Sequence, residues 1–407
     1  MSYSWLFNET SIAFIFILIL SIVLWRKKEK LAIQKIFYPL LYMILYRTKL
    51  GIKGMDRIAA KHPKLIKYFS YTGIYVGFIG MIFIMGTLIY TLIKTIIESV
   101  EVPAIMVAQP FVKTEFGSFF FYIPITYFII AIFIIAVSHE ACHGIVARLH
   151  KVEIKSSGFA FFSIFIPIIP AAFVEPDEKK VKKLKPMQQL SIFAAGPFAN
   201  ILLAGILILL TLFAINPMLE RVSTEEIVIV GFNEFENQTN PVKQAGISLG
   251  DKIIRINDVN ITDLSSFIEI MSETKPEQTI ILKTNSSYEN ITLLASPDND
   301  YGILGVMVRQ QTEFTEDFQE QHGWSIPIIY WLLGLVTILT IFNLGVGLFN
   351  LVPIGPLDGG RMVLTLLMTK YKEKKALIIW GKITMITLLI LLSTLILPII
   401  LRLINRF

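Results

Sequence analysis

Cysteine is nearly absent from this chain, with one residue, Cys142, among 407. A single thiol excludes an intramolecular disulfide framework and any zinc or iron–sulfur centre built on several cysteines. Histidine is almost as scarce, at five residues, so metal chemistry has to combine a few imidazoles with carboxylates. Charge is low as well. Asp, Glu, Lys and Arg make up 17% of the chain, against about 25% in an ordinary soluble protein. Hydrophobic residues make up 54%, and the mean hydropathy is +0.64. This composition excludes an ordinary soluble enzyme and indicates a polytopic membrane protein. The net charge of +6 does not signal nucleic acid. The basic residues gather where short loops meet apolar runs, as membrane insertion favours.

Six segments are, with their apolar flanks, able to cross a hydrocarbon core of about 30 Å: Ile12–Val23, Ile74–Leu92, Tyr122–Val137, Ile201–Ile215, Ile328–Phe342 and Ile383–Leu401. The first has no basic residue before it, no small-residue cleavage site, and a Lys/Arg cluster after it, so it reads as a retained span and not a signal peptide. Between Arg26 and Lys67, twelve basic residues face only Glu29 and Asp56, which places this loop in the cytoplasm. Its middle, Leu31–Tyr46, has apolar residues at helical spacing and is expected to lie in the interface as an amphipathic helix. Alternating from there puts Ser99–Ser118 and the polar insert Asn216–His322 outside, and Arg148–Met187 and Lys370–Lys375 inside. Five Asn-x-Ser/Thr sequons, at Asn8, Asn237, Asn260, Asn285 and Asn290, all fall in segments placed outside. Arg402 and Arg406 run against the rule.

The insert is acidic and alternates apolar with polar residues over Ile227–Val230, Lys252–Asn257, Thr279–Lys283, Asn290–Leu294 and Ile303–Val308. Short helices are expected at Pro241–Ala245 and Leu264–Ser272, and turns at Gly250–Asp251 and Asn285–Ser287. The expected division is therefore 1–118, a two-span region with a basic loop that packs and anchors; 119–215, the first half of a membrane core; 216–322, a folded extramembrane domain; and 323–407, the second half with the last span. The apolar stretch Gly158–Pro170 is too short and too proline-broken to span, and reads as a re-entrant hairpin.

Two of the five histidines, His139 and His143, stand at i and i+4 around Glu140 and Cys142. On a helix this His-Glu-x-x-His pattern places both imidazoles on one face, within about 6 Å, with Glu140 beside them. Three ionisable side chains at the end of an apolar run argue for a metal-assisted hydrolase over a pair of packed core histidines. A catalytic ion needs a third protein ligand. Glu175, Asp358 and, less readily, His150 stand in suitable surroundings. Asp358 is favoured because the spans carrying His143 and Asp358 end on the same side, and because the segment Gly345–Gly360 before and around it reads as irregular backbone lining a site. Asn200 and Asn350 are amides in apolar runs, suited either to holding substrate or to bonding between helices. Cys142 reads as a small buried hydrophobe.

The His139–His143 motif, Gly196-Pro197-Phe198-Ala199-Asn200, and Asn350-Leu351-Val352-Pro353 leading to Leu357-Asp358-Gly359 together resemble the site-2 protease family of intramembrane zinc metalloproteases. The resemblance covers about Tyr122–Ile215 and Ile328–Leu367. It implies one zinc ion held by His139, His143 and Asp358, with Glu140 as general base and membrane-spanning proteins as substrates of regulated intramembrane proteolysis. The insert is similar to the PDZ domain of many family members, through Pro241–Ile247 and Gly250–Asn257, with Leu264–Ser272 flanking a groove for an extended peptide or chain end and Gly302–Gly305 as the end-binding turn. The expected whole is a polytopic α-helical protein of about six spans with a re-entrant hairpin and an inserted α+β domain. It would sit in the cell membrane, with the active site toward the cytoplasm and the insert outside. Two other classes compete: a membrane metalloprotease acting on lipid-modified or soluble tails, and an inactive scaffold.

Overall fold

In the computed structural model of the chain the described residues are 9–37, 41–98, 107–109, 120–164, 166–233, 239–295 and 300–404. They form two compact units, Met1–Leu209 with Tyr330–Phe407, and Leu210–Ile329. In chain order the first unit holds α1 (Glu9–Arg26), β1 (Leu31–Phe37), β2 (Leu41–Thr48), α2 (Ile52–Lys61), α3 (Pro63–Glu98), β3 (Val107–Gln109), β4 (Phe120–Tyr122), α4 (Ile125–Leu149), β5 (Ile154–Ile164), β6 (Ile166–Pro176), α5 (Glu178–Lys182) and α6 (Pro186–Leu210). Next come α7 (Asn216–Leu219), β7 (Ser223–Phe232), α8 (Pro241–Gln244), β8 (Lys252–Ile256), β9 (Val259–Asn260), α9 (Leu264–Ser272), β10 (Thr279–Thr284), β11 (Tyr288–Thr292), β12 (Leu294–Ala295), β13 (Gly302–Ile303), β14 (Val306–Phe314) and α10 (Glu316–His322). The chain then returns through α11 (Ile326–Asn350), α12 (Asp358–Lys370) and α13 (Glu373–Ile404).

Five described helical stretches are long and apolar enough to cross a membrane: Pro63–Glu98, Ile125–Leu149, Pro186–Leu219, Glu316–Asn350 and Glu373–Leu401. A shorter apolar stretch, Phe14–Arg26, lies in α1. Such residues form helices because hydrocarbon offers no partner for a bare N–H or C=O, and a helix pairs both within itself. The chain is accordingly a polytopic helical integral membrane protein. α4 is the central element, and Ala131, Ile135, His139, Gly144, Val146 and Ala147 on it are all buried.

Leu31–Tyr46 is not a helix. It forms β1 and β2, paired from Leu31↔Tyr46 to Phe37↔Leu41, and β2 in turn pairs with β5 from Leu41↔Ile164 to Thr48↔Ser157. The sheet order is β1-β2-β5-β6. Apolar spacing in this stretch suits either element. The outcome is decided by a strand more than a hundred residues later that satisfies the backbone of β2. The hairpin expected at Gly158–Pro170 forms as β5 and β6, in register from Ile154↔Pro176 to Ile164↔Ile166. Its prolines, Pro167, Pro170 and Pro176, all stand on β6, the outer strand of the sheet, where a missing N–H is tolerated. Gly345–Asn350 is also more regular than expected: α11 runs through Asn350, and the irregular segment is Leu351–Leu357.

In the second unit the strand order is β11-β10-β8-β7-β14, antiparallel at every junction, with β9 on β8. Ile227, Ile229, Ile253, Ile256, Ile280, Leu282, Ile291 and Leu293 fill its core with Val242 and Met271 from the two helices. The Gly250–Asp251 turn uses φ +94° at Gly250, which favours glycine. α9 is closed by a capping box, in which the Asp263 carboxylate accepts from Ser266 N at 2.7 Å and the Ser266 hydroxyl faces Asp263 N at 3.2 Å. β14 continues to Phe314, pairing with β7 back to Ser223.

Candidate metal centre

His139 and His143 lie one turn apart on α4, with ring centroids 4.8 Å apart. Asp358 is the first residue of α12. The chain folds sharply there, and Gly359 and Gly360 allow it. A Cβ at Gly359 would lie 2.1 Å from the carbonyl oxygen of Leu351, and one at Gly360 2.1 Å from that of Ile354. The loop before α12 thus wraps against its first turn and turns Asp358 toward the histidines. His139 Nε2 and His143 Nε2 are 3.1 Å apart, and each is 3.2 Å from Asp358 Oδ2. His139 and Asp358 are only 7% and 9% exposed.

Three donors at these separations outline one face of a tetrahedron. Arms of about 2.0–2.1 Å, as zinc takes with imidazole and carboxylate, give edges of about 3.3 Å. Among the described residues His139, His143 and Asp358 are the group of donors able to hold a metal ion. The backs of the rings are fixed as well. His143 Nδ1–H donates to the Ile192 carbonyl at 2.7 Å, which leaves Nε2 as the lone-pair donor. The Asn200 amide, fully buried, lies 3.1 Å from His139 Nδ1. As placed, Nδ2 is the atom on His139 Nδ1 and the Ser138 hydroxyl lies 3.5 Å from Oδ1; exchanging the two ends of the amide, which are alike in shape, sets Oδ1 against Nδ1–H, as a metal-ligating His139 requires, while Ser138 keeps its bond to Ile135 O. His139 then also presents a free Nε2. Asn200 therefore sits behind a ligand, away from open space.

α6 passes directly over the donors. A Cβ on Gly196 would lie 2.3 Å from His143 Nε2 and 2.6 Å from His139 Nε2, so only hydrogen fits there. This role was concealed in the sequence, where Gly196 reads as part of a helix motif. Glu140 is held by a residue that side-chain reasoning passes over: its Oε2 accepts from the backbone N–H of Val174, on β6, at 2.9 Å.

His139, Glu140, His143, Asp358 and Asn350 line one cavity of about 1010 Å³, bounded on one side by Phe173 and Val174 of β6. Asn350 Nδ2 donates to Val346 O at 3.0 Å. At the cavity wall Arg361 pairs with Glu178 at 2.7 Å and stacks over Phe193. The other sequence candidates lie apart from the donors. Glu175 accepts from Ser156 and pairs with Arg47 at 3.6 Å. His150 faces the Ser191 hydroxyl at 2.9 Å; burial, aided by the Lys67 ammonium, holds its pKa below the ordinary imidazole value. Cys142 is partly buried and packs against the core around α4 and α6.

Comparison with known proteins finds relatives and a family for this chain. Over 355 residues, 86% of this chain and 84% of the other, the sequence is 28% identical to an uncharacterized protein of Methanocaldococcus jannaschii. Over 234 residues, 48% of this chain and 54% of the other, it is 23% identical to the probable protease eep of Enterococcus faecalis. The family model described as peptidase family M50 matches residues 127–391. That stretch takes in both histidines, the glutamate between them and the distant aspartate, and the chain is thus a member of peptidase family M50, the site-2 protease family.

Proposed function

We propose that this protein is an intramembrane zinc endopeptidase that cuts membrane-spanning substrate proteins within or near their spans. The observation that carries the reading is the buried triangle of two imidazole nitrogens and one carboxylate oxygen with Glu140 beside it on the same helix. His139, His143 and Asp358 would hold one zinc ion. Zinc held there supplies Lewis acidity toward water and the scissile carbonyl. Glu140 acts as general base through Oε1, because its Oε2 is engaged by Val174 N, and then returns the proton to the leaving amine nitrogen. Asn200 acts as a positioning residue that fixes the His139 ring. Asn350, on the cavity wall, donates only within its own helix and has its carbonyl oxygen available to substrate backbone.

A helical substrate hides its carbonyls, so it must be extended before it can be cut. β6 supports that step. It ends its sheet, and its outer edge adjoins Glu140, so an extended segment can pair there as a further strand. In the second unit β14 likewise ends a sheet, and the N–H of Leu264 at the start of α9 donates to the Gln310 side chain on β14. That pairing of a terminal strand with a helix supports a PDZ-like groove for an extended peptide or chain end. The distribution of basic residues supports a metal centre toward the cytoplasm and a second unit outside, and membership of the family supports a role in regulated intramembrane proteolysis at the cell membrane.

The test is cleavage of a panel of single-span substrates by zinc-loaded protein and its Glu140→Gln variant, with the cut located by mass spectrometry. Glu140-dependent cuts inside the span are expected. Cuts confined to exposed tails would replace this reading with that of a tail-trimming metalloprotease, and zinc bound without any Glu140-dependent product would refute proteolysis of spans.

A further inference from the structure

The second unit carries a repeated surface feature that the proteolytic chemistry does not use. Residues 216–322 contain nine asparagines and 17 serines and threonines. At that density Asn-x-Ser/Thr without an intervening proline is expected once or twice, yet it occurs four times, at Asn237, Asn260, Asn285 and Asn290. Asn8, in the fifth sequon, and Asn237 lie outside the described residues. Asn285 is exposed, but its amide is engaged: its Oδ1 accepts from Lys252 N at 2.7 Å. Asn260 and Asn290 share a different arrangement. Asn260 ends β9 and Asn290 lies in β11; each is exposed, the next residue is a buried isoleucine, Ile261 or Ile291, and the threonine after it, Thr262 or Thr292, is exposed, with its hydroxyl on Asp263 Oδ2 or on the Thr279 hydroxyl. Alternation explains a polar residue on each side of a buried isoleucine. It does not explain why both pairs are Asn followed by Thr.

We propose that Asn260 and Asn290 are sites of N-linked glycosylation. The inference rests on the reading above that the second unit lies outside the membrane. The donor is a sugar chain on a polyisoprenyl phosphate carrier. The Asn Nδ2 forms a bond to the anomeric carbon, the bond from that carbon to the carrier's phosphate oxygen breaks, and the carrier phosphate leaves with the electron pair. The amide gives up one proton, and nothing is oxidised or reduced. Both strands keep their backbone pairing, since only outward side chains are used.

The experiment takes the full-length protein from the membranes of the organism that makes it and maps its proteolytic peptides by mass spectrometry. Sugar masses are expected on the peptides containing Asn260 and Asn290. One step of gel mobility should be lost with Asn260→Gln and one with Asn290→Gln, and Thr262→Ala and Thr292→Ala should reproduce each loss while keeping the asparagine. Unmodified peptides at both positions, or sugar at Asn285 alone, overturn the proposal. A Glu273→Cys variant treated in intact cells with an impermeant maleimide separates the two readings. Labelling without sugar leaves the sidedness standing and removes the glycans, whereas labelling only after permeabilisation removes both.

Discussion

The close passage of α6 over the metal donors makes Gly196→Ala the most informative single substitution. The added methyl would sit 2.3 Å from His143 Nε2 and 2.6 Å from His139 Nε2, about 1 Å inside the ~3.5 Å optimum between non-bonded atoms. Neither neighbour is the loose end of a flexible side chain. His143 is tied to Ile192 O and His139 to Asn200, both on α6 itself, so moving α6 away drags the rings with it. The donor triangle must therefore open by a substantial part of an ångström. Misplacement on that scale costs about 10²-fold in a positioned site, and we expect zinc affinity and peptidase activity to fall together by at least that factor. Gly205→Ala on the same helix is the control. A Cβ there meets nothing within 4 Å, and alanine should leave affinity unchanged while adding about 0.5–1 kcal/mol of helix stability. The assay is competition for zinc with a chromogenic chelator, read alongside thermal unfolding in detergent. If Gly196→Ala binds zinc as wild type does, the donor geometry described above is wrong.

Three further outcomes follow from the same contacts. Asn200→Ala should weaken zinc binding by about 10–100-fold while leaving the fold intact, since it removes the group behind His139; equal loss on substrate binding with unchanged zinc affinity would contradict a positioning role. Val174→Pro removes the N–H that holds Glu140 on a strand edge that tolerates proline. A hydrogen bond to a charged group contributes about 1.5–3 kcal/mol, so kcat should drop by about 10–100-fold with zinc content unchanged. His150 favours its neutral form in the folded protein, so its contribution to stability is complete above the unfolded value of about 6.5 and is lost as pH falls through the lower folded value. The Tm of wild type should therefore decline relative to His150→Gln as pH drops from 7.5 toward 5, and a gap that stays constant would refute the assignment.

Much of the site is readable from spacing because helical pitch is rigid. Residues 139 and 143 can only fall on one face, and a carboxylate at the start of a Gly-Gly helix is distinctive. Contacts between backbone and side chain leave no such trace. Neither the Val174 N–H on Glu140 nor the Ile192 carbonyl on His143 depends on which residue supplies it, so no residue type announces them. Gly196 differs again: its importance lies in the atoms it lacks. In the fold, the strands of the second unit follow from period-2 alternation, but the end of β14 does not. Arg309–Glu313 is polar throughout and becomes strand because β7 pairs with it. The same is true of Leu31–Tyr46, whose apolar spacing is ambiguous until β5 supplies the missing partner.

The 215-residue separation between His143 and Asp358 sets the order of events during synthesis. The first two donors and the glutamate are made early, followed by the entire inserted unit and α11, and only then does the aspartate emerge. Until that moment the nascent chain has two of its three ligands. A chain inserted among the spans of other membrane proteins thus lacks a complete donor triangle while it is being built. The triangle closes only after the whole second unit has already been made.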